Sequence, residues 1–365
     1  MKTTKKNSGN GTGNGEKMLF DNAKQVPLHA GQKAPPDFAG VRVKKGSVKT
    51  LFIEKEATEK EFGLGVFEFT DDYSVFDYGK MPDTIDGKGE ALCRLSFYNL
   101  KEIEKLGIKT HLRKAMFPKK IEVNLVRVLF PQKGEIHENE KNYLVPLEVI
   151  FRNSLPAGSS VFKRLEIREI SPKDIGLDKM PKPGEKLKKP VLDVSTKLEE
   201  TDRYLNWQEA KELAKISDKQ LEELKQKTLK INDFLTKKAK KIGLEHADGK
   251  AEFAINPKGE LMLVDTCGTL DENRLLFEGV HLSKQVLRDY YKTTPWYAEL
   301  EAAKAARKPK NAWPKPQKAP KELIQIVSNM YKSVCEAWTG QKAWNAPKIK
   351  EVVKEYKEFL KKPNR

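Results

Sequence analysis

The stretch that most constrains this 365-residue chain is an apolar alternation that reverses at a turn, from Glu245 to Arg274 (EHADGKAEFAINPKGELMLVDTCGTLDENR). Ala251, Phe253 and Ile255 alternate with Glu252 and Ala254, the two-residue period of a strand with one buried face. Asn256-Pro257-Lys258-Gly259 is turn chemistry, since proline fixes one φ and glycine accepts the reverse bend. The return strand is Glu260 to Asp265. With Ile255 paired to Glu260, Glu252 falls opposite Leu263 and one diagonal step from Asp265, about 7–8 Å away. At that distance two carboxylates can hold one hard cation between them. The placement depends on register, because a slip of one residue sends the two acids to opposite faces. The alternative is an ordinary hairpin with solvated acids.

Such a hairpin needs a protein around it, and a chain of this length can bury a large core and more than one lobe. No apolar run approaches the ~20 residues of a membrane span, so no membrane partner is expected. The opening MKTTKKNSGNGTGNGEK is rich in Gly, Asn and Lys without the apolar core of a signal peptide, and residues 1–38 read as a disordered or irregular tail. Three cysteines, Cys93, Cys267 and Cys335, are sparse, odd in number and far apart, which suits a reducing, cytoplasmic setting. Lys and Arg outnumber Asp and Glu by 69 to 52, a net charge of +17. This implies anionic partners, either nucleic acid or phosphorylated metabolites. No RNP signature, zinc finger or basic heptad region is present to favour nucleic acid.

In chain order, Val41–Val43, Val48–Glu54 and Gly65–Thr70 read as antiparallel strands. Between the first two, Lys44-Lys45-Gly46-Ser47-Val48-Lys49 is a lysine-bearing glycine loop that can fold over phosphates, or else a plain surface hairpin. Glu90 to Leu106 has helical spacing. Residues 121–130 and 143–152 read as strands of a more buried sheet. Arg152 at a strand end, followed by the small-residue loop to Ser159 and Ser160, suits gripping a phosphate or carboxylate, though a buried arginine beside an ordinary turn fits as well. Residues 171–192 read as irregular. Ser217-Asp218-Lys219-Gln220 is a capping box opening a helix with an apolar stripe through Leu224, Ile231 and Leu235. A helix near 282–291, a Pro/Lys-rich linker at 308–320, a helix over 320–339 and a lysine-rich C-terminal helix or tail at 346–365 complete the chain.

Taken in this order, the pieces resemble the SAICAR synthetase family over roughly residues 41–340. The family's early Gly-Lys-x-Lys loop looks like Gly46-Ser47-Val48-Lys49. Its TD-x-x-S-x-(F/Y)-D segment matches Thr70, Asp71, Ser74, Phe76 and Asp77, and its GKG matches Gly87-Lys88-Gly89. RN-x-x-AGS is similar to Arg152-Asn153 with Ala157-Gly158-Ser159, with one extra residue. STK-x-E-x-x-D matches Ser195 to Asp202, and D-x-K-x-EF matches Asp248, Lys250, Glu252 and Phe253. D-x(5)-D-x-x-R matches Asp265, Asp271 and Arg274, and SKQ-x-x-RD matches Ser283 to Asp289.

The resemblance implies an α+β, two-lobed fold, with a small antiparallel lobe (39–142) over a larger mixed lobe (143–345) and an ATP cleft between them. It implies a ligase of purine biosynthesis that joins L-aspartate to the carboxylate of a carboxyaminoimidazole ribonucleotide (CAIR) through an acyl phosphate, with ATP as co-substrate and Mg2+ as cofactor. Lys45, Gly46, Ser47, Val48 and Lys49 would face ATP, and Glu252 and Asp265 would hold the metal. Lys88, Arg152, Ser159, Lys197, Asp202, Asp271, Arg274 and Arg288 would serve the substrates, with Lys49, Lys197, Asp202, Glu252 and Asp265 at the chemistry. Three departures stand out. Ser47 replaces a loop lysine, Asp72 an arginine, and Thr266 the acid that often follows the metal aspartate. The long segments 131–142, 165–192 and 298–318 leave open a homo-oligomer contact or plain loops. Two rivals are a related ATP-dependent ligase or kinase with another acceptor, and a basic nucleic-acid binder whose affinity would fall steeply with salt.

Overall fold

The computed structural model describes residues 41–46, 48–199 and 202–362. The expected 1–38 tail and Ser47 lie outside the described residues.

Apolar alternation builds a first antiparallel sheet from β1 (Arg42–Lys45), β2 (Lys49–Lys55), β3 (Gly63–Phe69), β4 (Leu112–Met116) and β5 (Lys120–Leu125), in the order β1-β2-β3-β5-β4. Leu51, Phe67, Phe69, Ile121 and Val123 are buried in the main core, to which α1 (Lys88–Lys105) adds Leu92, Leu95, Leu100 and Ile103. Helix α1 starts two residues before the expected Glu90. Gly87, at φ 74°, turns the chain into the helix, and the Asp71 carboxylate accepts the Gly89 N–H at 2.8 Å.

The second sheet comprises β6 (Tyr143–Leu155), β7 (Glu185–Thr196), β8 (Glu245–Ile255), β9 (Leu261–Val264), β10 (Arg274–Phe277) and β11 (Val280–His281). Its order is β11-β10-β8-β6-β7, with β9 on the same edge of β8 as β10 but further along the strand. Between its strands lie α2 (Ser160–Glu166), α3 (Trp207–Ala214) and α4 (Asp218–Lys241). The capping box holds as read: Ser217 Oγ accepts the Gln220 N–H at 3.2 Å, and Gln220 Oε1 accepts the Ser217 N–H at 2.9 Å. Leu224, Ile231 and Leu235 are buried where α4 packs on β8 and β6. The chain closes with α5 (Gln285–Lys292), α6 (Pro295–Ala305), α7 (Lys321–Thr339) and α8 (Ile349–Phe359).

Two sequence expectations are corrected here, and the helix-or-tail alternative at the C-terminus resolves to a helix. Residues 121–130 do not share a sheet with 143–152. Strand β5 ends at Leu125 and bonds to β3 and β4, and only an isolated bridge, Arg127 to Tyr143, links that connection to β6. The segment 171–192 is not wholly irregular, since β7 begins at Glu185. It is the sheet's edge strand and its first half exposes lysines, so it lacks the apolar face that marks a central strand. The C-terminal lysine-rich segment is a helix, with Val352, Val353, Tyr356 and Phe359 buried.

Every strand of the first sheet precedes residue 126 and every strand of the second follows 142. Helix α7 returns to pack on α1, with α8 on α7, so the end of the chain braces the first sheet's helix. Cys93, Cys267 and Cys335 are buried free thiols. Among the described residues, no helix is long and apolar enough to cross a membrane.

Candidate active site

The hairpin forms, but in a different register from the one expected. Ile255 pairs with Leu261, and Glu252 pairs with Val264. The cause is Gly259, whose φ of 81° puts it in the left-handed region. The Gly259 N–H bonds to the Asn256 carbonyl at 2.9 Å, and the Asn256 N–H to the Glu260 carbonyl at 2.9 Å. The loop is thus a three-residue connection with a bulge, and it moves the pairing by one residue. Strict alternation would now turn Asp265 away from Glu252. It does not, because Asp265 lies just past the end of β9 with φ 59°, which breaks the alternation. The two acids share one buried cluster through the lysines between them.

That cluster grows from the D-x-K-x-E period, which puts Asp248, Lys250 and Glu252 on one face of β8. Glu148 of β6 stands directly across from Glu252. Two facing carboxylates would repel, but two lysines lie between them. Lys250 Nζ is 2.7 Å from Glu148 Oε1 and 3.4 Å from Glu252 Oε1. Lys197, just past β7, is 3.2 Å from Glu148 Oε1 and 2.9 Å from Glu252 Oε1. Lys49, from the first sheet, reaches across to Asp265 Oδ1 at 2.5 Å. Burial works against the charge on Lys197, but Glu252 and Glu148 outweigh it and raise its pKa. Burial raises the Glu252 carboxyl, with Asp265 and Glu148 adding to the rise over the opposing lysines. His111 Nε2 lies 3.1 Å from the Asp265 carbonyl oxygen, and burial lowers its pKa to about 4, so the ring is neutral near pH 7.

Glu252 is buried, yet neither of its oxygens makes a hydrogen bond of good geometry; Oε1 is held in ion pairs by Lys197 at 2.9 Å and Lys250 at 3.4 Å, and Oε2 has no hydrogen-bond partner among the described residues. A carboxylate with one oxygen unpartnered, and a second carboxylate in the same cluster, fits a hard cation of the magnesium type, which takes one or two protein carboxylates and keeps its waters. Among the described residues no group of three or more His, Cys, Asp or Glu side chains is placed to hold a metal, so a bound ion would depend on ligands beyond this pair. Thr266, where an acid was expected, instead donates to Glu272 Oε1 at 2.7 Å, and Thr269 also donates to that carboxylate.

The other end of the same strand face carries two arginines around one aspartate. Arg152, Asp248 and Arg274 form one row in register across β6, β8 and β10. Arg274 Nη1 is 2.6 Å from Asp248 Oδ2, and Arg152 Nη1 is 3.7 Å from the same oxygen. Arg152 also meets Asp193 at 3.2 Å and Ser159 Oγ at 3.5 Å. Arg288 is partly buried; burial lowers the pKa of His281, and the charges of Arg274 and Arg288 lower it further.

Of the residues singled out from sequence, Lys49, Lys197, Glu252 and Asp265 come together in the first cluster, and Arg152, Ser159 and Arg274 in the second. Lys88 and Asp271 form a separate buried pair at 2.8 Å, joined by the Tyr331 hydroxyl at 2.6 Å from Asp271 Oδ1. Burial would raise the Asp271 carboxyl, yet Lys88 and Lys284 overturn this and hold it well below the usual range. Lys45 and Gly46 are exposed at the β1–β2 turn, while Val48 is buried. Asp202 is partly buried where the chain turns back toward β7.

The sheet also explains a glycine. A Cβ on Gly249 would collide with Asn273 Oδ1 and stand 2.5 Å from Phe151 Cε2. Gly249→Ala is therefore expected to cost about 1–3 kcal/mol of stability, read from the denaturant midpoint. An unchanged midpoint would mean that Asn273 moves freely.

The SAICAR synthetase family model matches residues 42–303. A Thermoplasma acidophilum phosphoribosylaminoimidazole-succinocarboxamide synthase is 34% identical, with 82% of this chain and 99% of the relative covered. The same name, provisionally assigned, belongs to an Archaeoglobus fulgidus protein that is 44% identical over 86% of this chain and 99% of its own length. The chain belongs to the SAICAR synthetase family. The fold agrees. The Saccharomyces cerevisiae SAICAR synthase complexed with SAICAR superposes with a TM-score of 0.62 at 21% identity, covering 86% of this chain and 99% of that one. A type-2 SAICAR synthetase in complex with ADP gives 0.53 at 24% identity, covering 76% and 100%.

Sequence reasoning on this SAICAR synthetase family member left out Glu148, Asp193 and the bridging role of Lys250. Glu148 and Asp193 had a readable signal, since each is a lone acid inside an otherwise apolar strand run, LVPLEVIF and VLDV. Which partners neutralise them is set by strand register.

Proposed function

We propose that this chain catalyses the ATP-dependent joining of L-aspartate to the carboxylate of CAIR, giving SAICAR, ADP and phosphate. The observation that supports it best is the polarity of the β8 face. One end, at Asp248, is flanked by Arg152 and Arg274, and the other, at Glu252, by Lys197, Lys49 and Asp265. The ends are four residues apart, about 13 Å along a strand. A phosphorylated ligand can lie along this face with its phosphate at the arginines and its carboxylate near the lysine–carboxylate cluster.

Lys49, with the backbone of the 45–49 loop, would neutralise ATP phosphates. Glu252 and Asp265 would hold magnesium, which when bound screens phosphate charge. Arg152, Ser159, Arg274 and Arg288 would fix the ribonucleotide, and Lys88 with Asp271 would brace the loop that carries Asp265 and Arg274. A CAIR carboxylate oxygen attacks the γ-phosphorus, forming an O–P bond as the bond to ADP breaks. The aspartate amine then attacks the acyl carbon, loses a proton, and expels phosphate. Asp202 would orient that amine. Lys197, held protonated, would offset the negative charge that gathers on the acyl phosphate. Much of the rate enhancement would come from positioning. The expected setting is the cytoplasm.

The test is isotopic. With 18O in the CAIR carboxylate, one labelled oxygen should leave in each phosphate formed. Unlabelled phosphate, or no phosphate with all three substrates present, would overturn the proposal.

A further inference from the structure

Two hydroxyls beside Arg152 have no role in that ligation scheme. Tyr204 lies two residues after Asp202 and bridges back to Ser195 on β7. Its hydroxyl lies 2.6 Å from Ser160 Oγ and accepts from Arg152 Nη2 at 3.2 Å. Ser160 Oγ accepts from the same Nη2, also at 3.2 Å. The Arg164 guanidinium sits 3.9 Å over the Tyr204 ring and pairs with Asp193 at 2.5 Å, which fixes the ring in place.

Counting protons makes the arrangement informative. Arg152 Nη2 faces both hydroxyl oxygens and Asp193 Oδ2, each at 3.2 Å, so its two protons are shared among three acceptors, and a single hydrogen bond links the two hydroxyls. That link uses one of their two protons. Among the described residues no acceptor takes the other. Arg152 Nε is also buried without a hydrogen-bond partner. Arg152 and Ser160 are buried and Tyr204 is half-buried, so two unused donors stand around a guanidinium at the margin of the site, and an anionic oxygen group supplies the acceptors they can take.

We propose that Tyr204, together with Ser160, is a substrate-binding residue that donates to the phosphate of the ribonucleotide. This rests on the ligase reading of the same site. The hydroxyl adds a directed donor to the charge of Arg152, so it selects for the phosphorylated form of the ligand.

The test is calorimetric binding of CAIR and of its dephosphorylated nucleoside to the full chain and to Tyr204→Phe. The phenylalanine keeps the ring under Arg164 and removes only the hydroxyl. CAIR binding should weaken roughly tenfold, as for one hydrogen bond to a charged group, and nucleoside binding should not change. Ser160→Ala should weaken CAIR in the same selective way, and KM for CAIR should rise with kcat little changed. If both ligands weaken equally, Tyr204 only supports the fold and the inference fails. It fails as well if CAIR binds the variant as tightly as the parent. If the parent chain does not bind CAIR at all, the ligase reading itself is wrong, a result distinct from either.

Discussion

Glu252→Gln is expected to lower kcat roughly a thousandfold while the protein still folds. The substitution keeps the shape of the side chain and removes one of the two carboxylates proposed to hold the cation. Folding should persist because burial already favours the uncharged form of Glu252, so a neutral amide resembles a state the site tolerates. Lys197 and Lys250 retain Glu148 as a partner. Steady-state rates and a thermal unfolding curve would be measured together. A variant with near-normal turnover would remove Glu252 from the metal site. A variant that fails to fold would assign it to the structure of the cluster.

Arg274→Ala should lower kcat/KM for the ribonucleotide about a hundredfold and leave KM for ATP within about twofold. Arg274 stands at the arginine end of the β8 face, in line with Arg152 and Asp248 and removed from Lys49 and Asp265. Truncating one partner of a hydrogen-bonded charge pair in a desolvated site costs about 2–5 kcal/mol, enough for a change of this size. Arg274→Lys should recover only part of the loss, since an ammonium cannot reproduce the two-pronged contact of a guanidinium. Equal losses toward ATP and ribonucleotide would contradict the proposed division of the face.

Much of this geometry could be read from sequence wherever it depends on a local period. The D-x-K-x-E spacing places three charged residues on one strand face, and the Ser217 box marks the start of α4. The hairpin was legible as a hairpin, but its register was not, because it turns on Gly259 and the left-handed backbone at Asp265. A strand-parity argument cannot see either. The meeting of Lys197, Lys250, Glu148 and Glu252 was hidden for another reason. These residues come from three different strand segments, and only the pairing of β6 with β7 and β8 brings them together. Strand β7 was missed because an edge strand that exposes lysines has no apolar face to betray it. The in-register row of Arg152, Asp248 and Arg274 likewise needs three strands aligned before it exists.

The most direct measurement is ADP release from ATP and magnesium, with CAIR and L-aspartate supplied together and then singly. The proposed ligation predicts sustained release only when both are present, with SAICAR formed in equal amount. Release that ignores both substrates, or ATP binding that neither substrate converts to turnover, would contradict it.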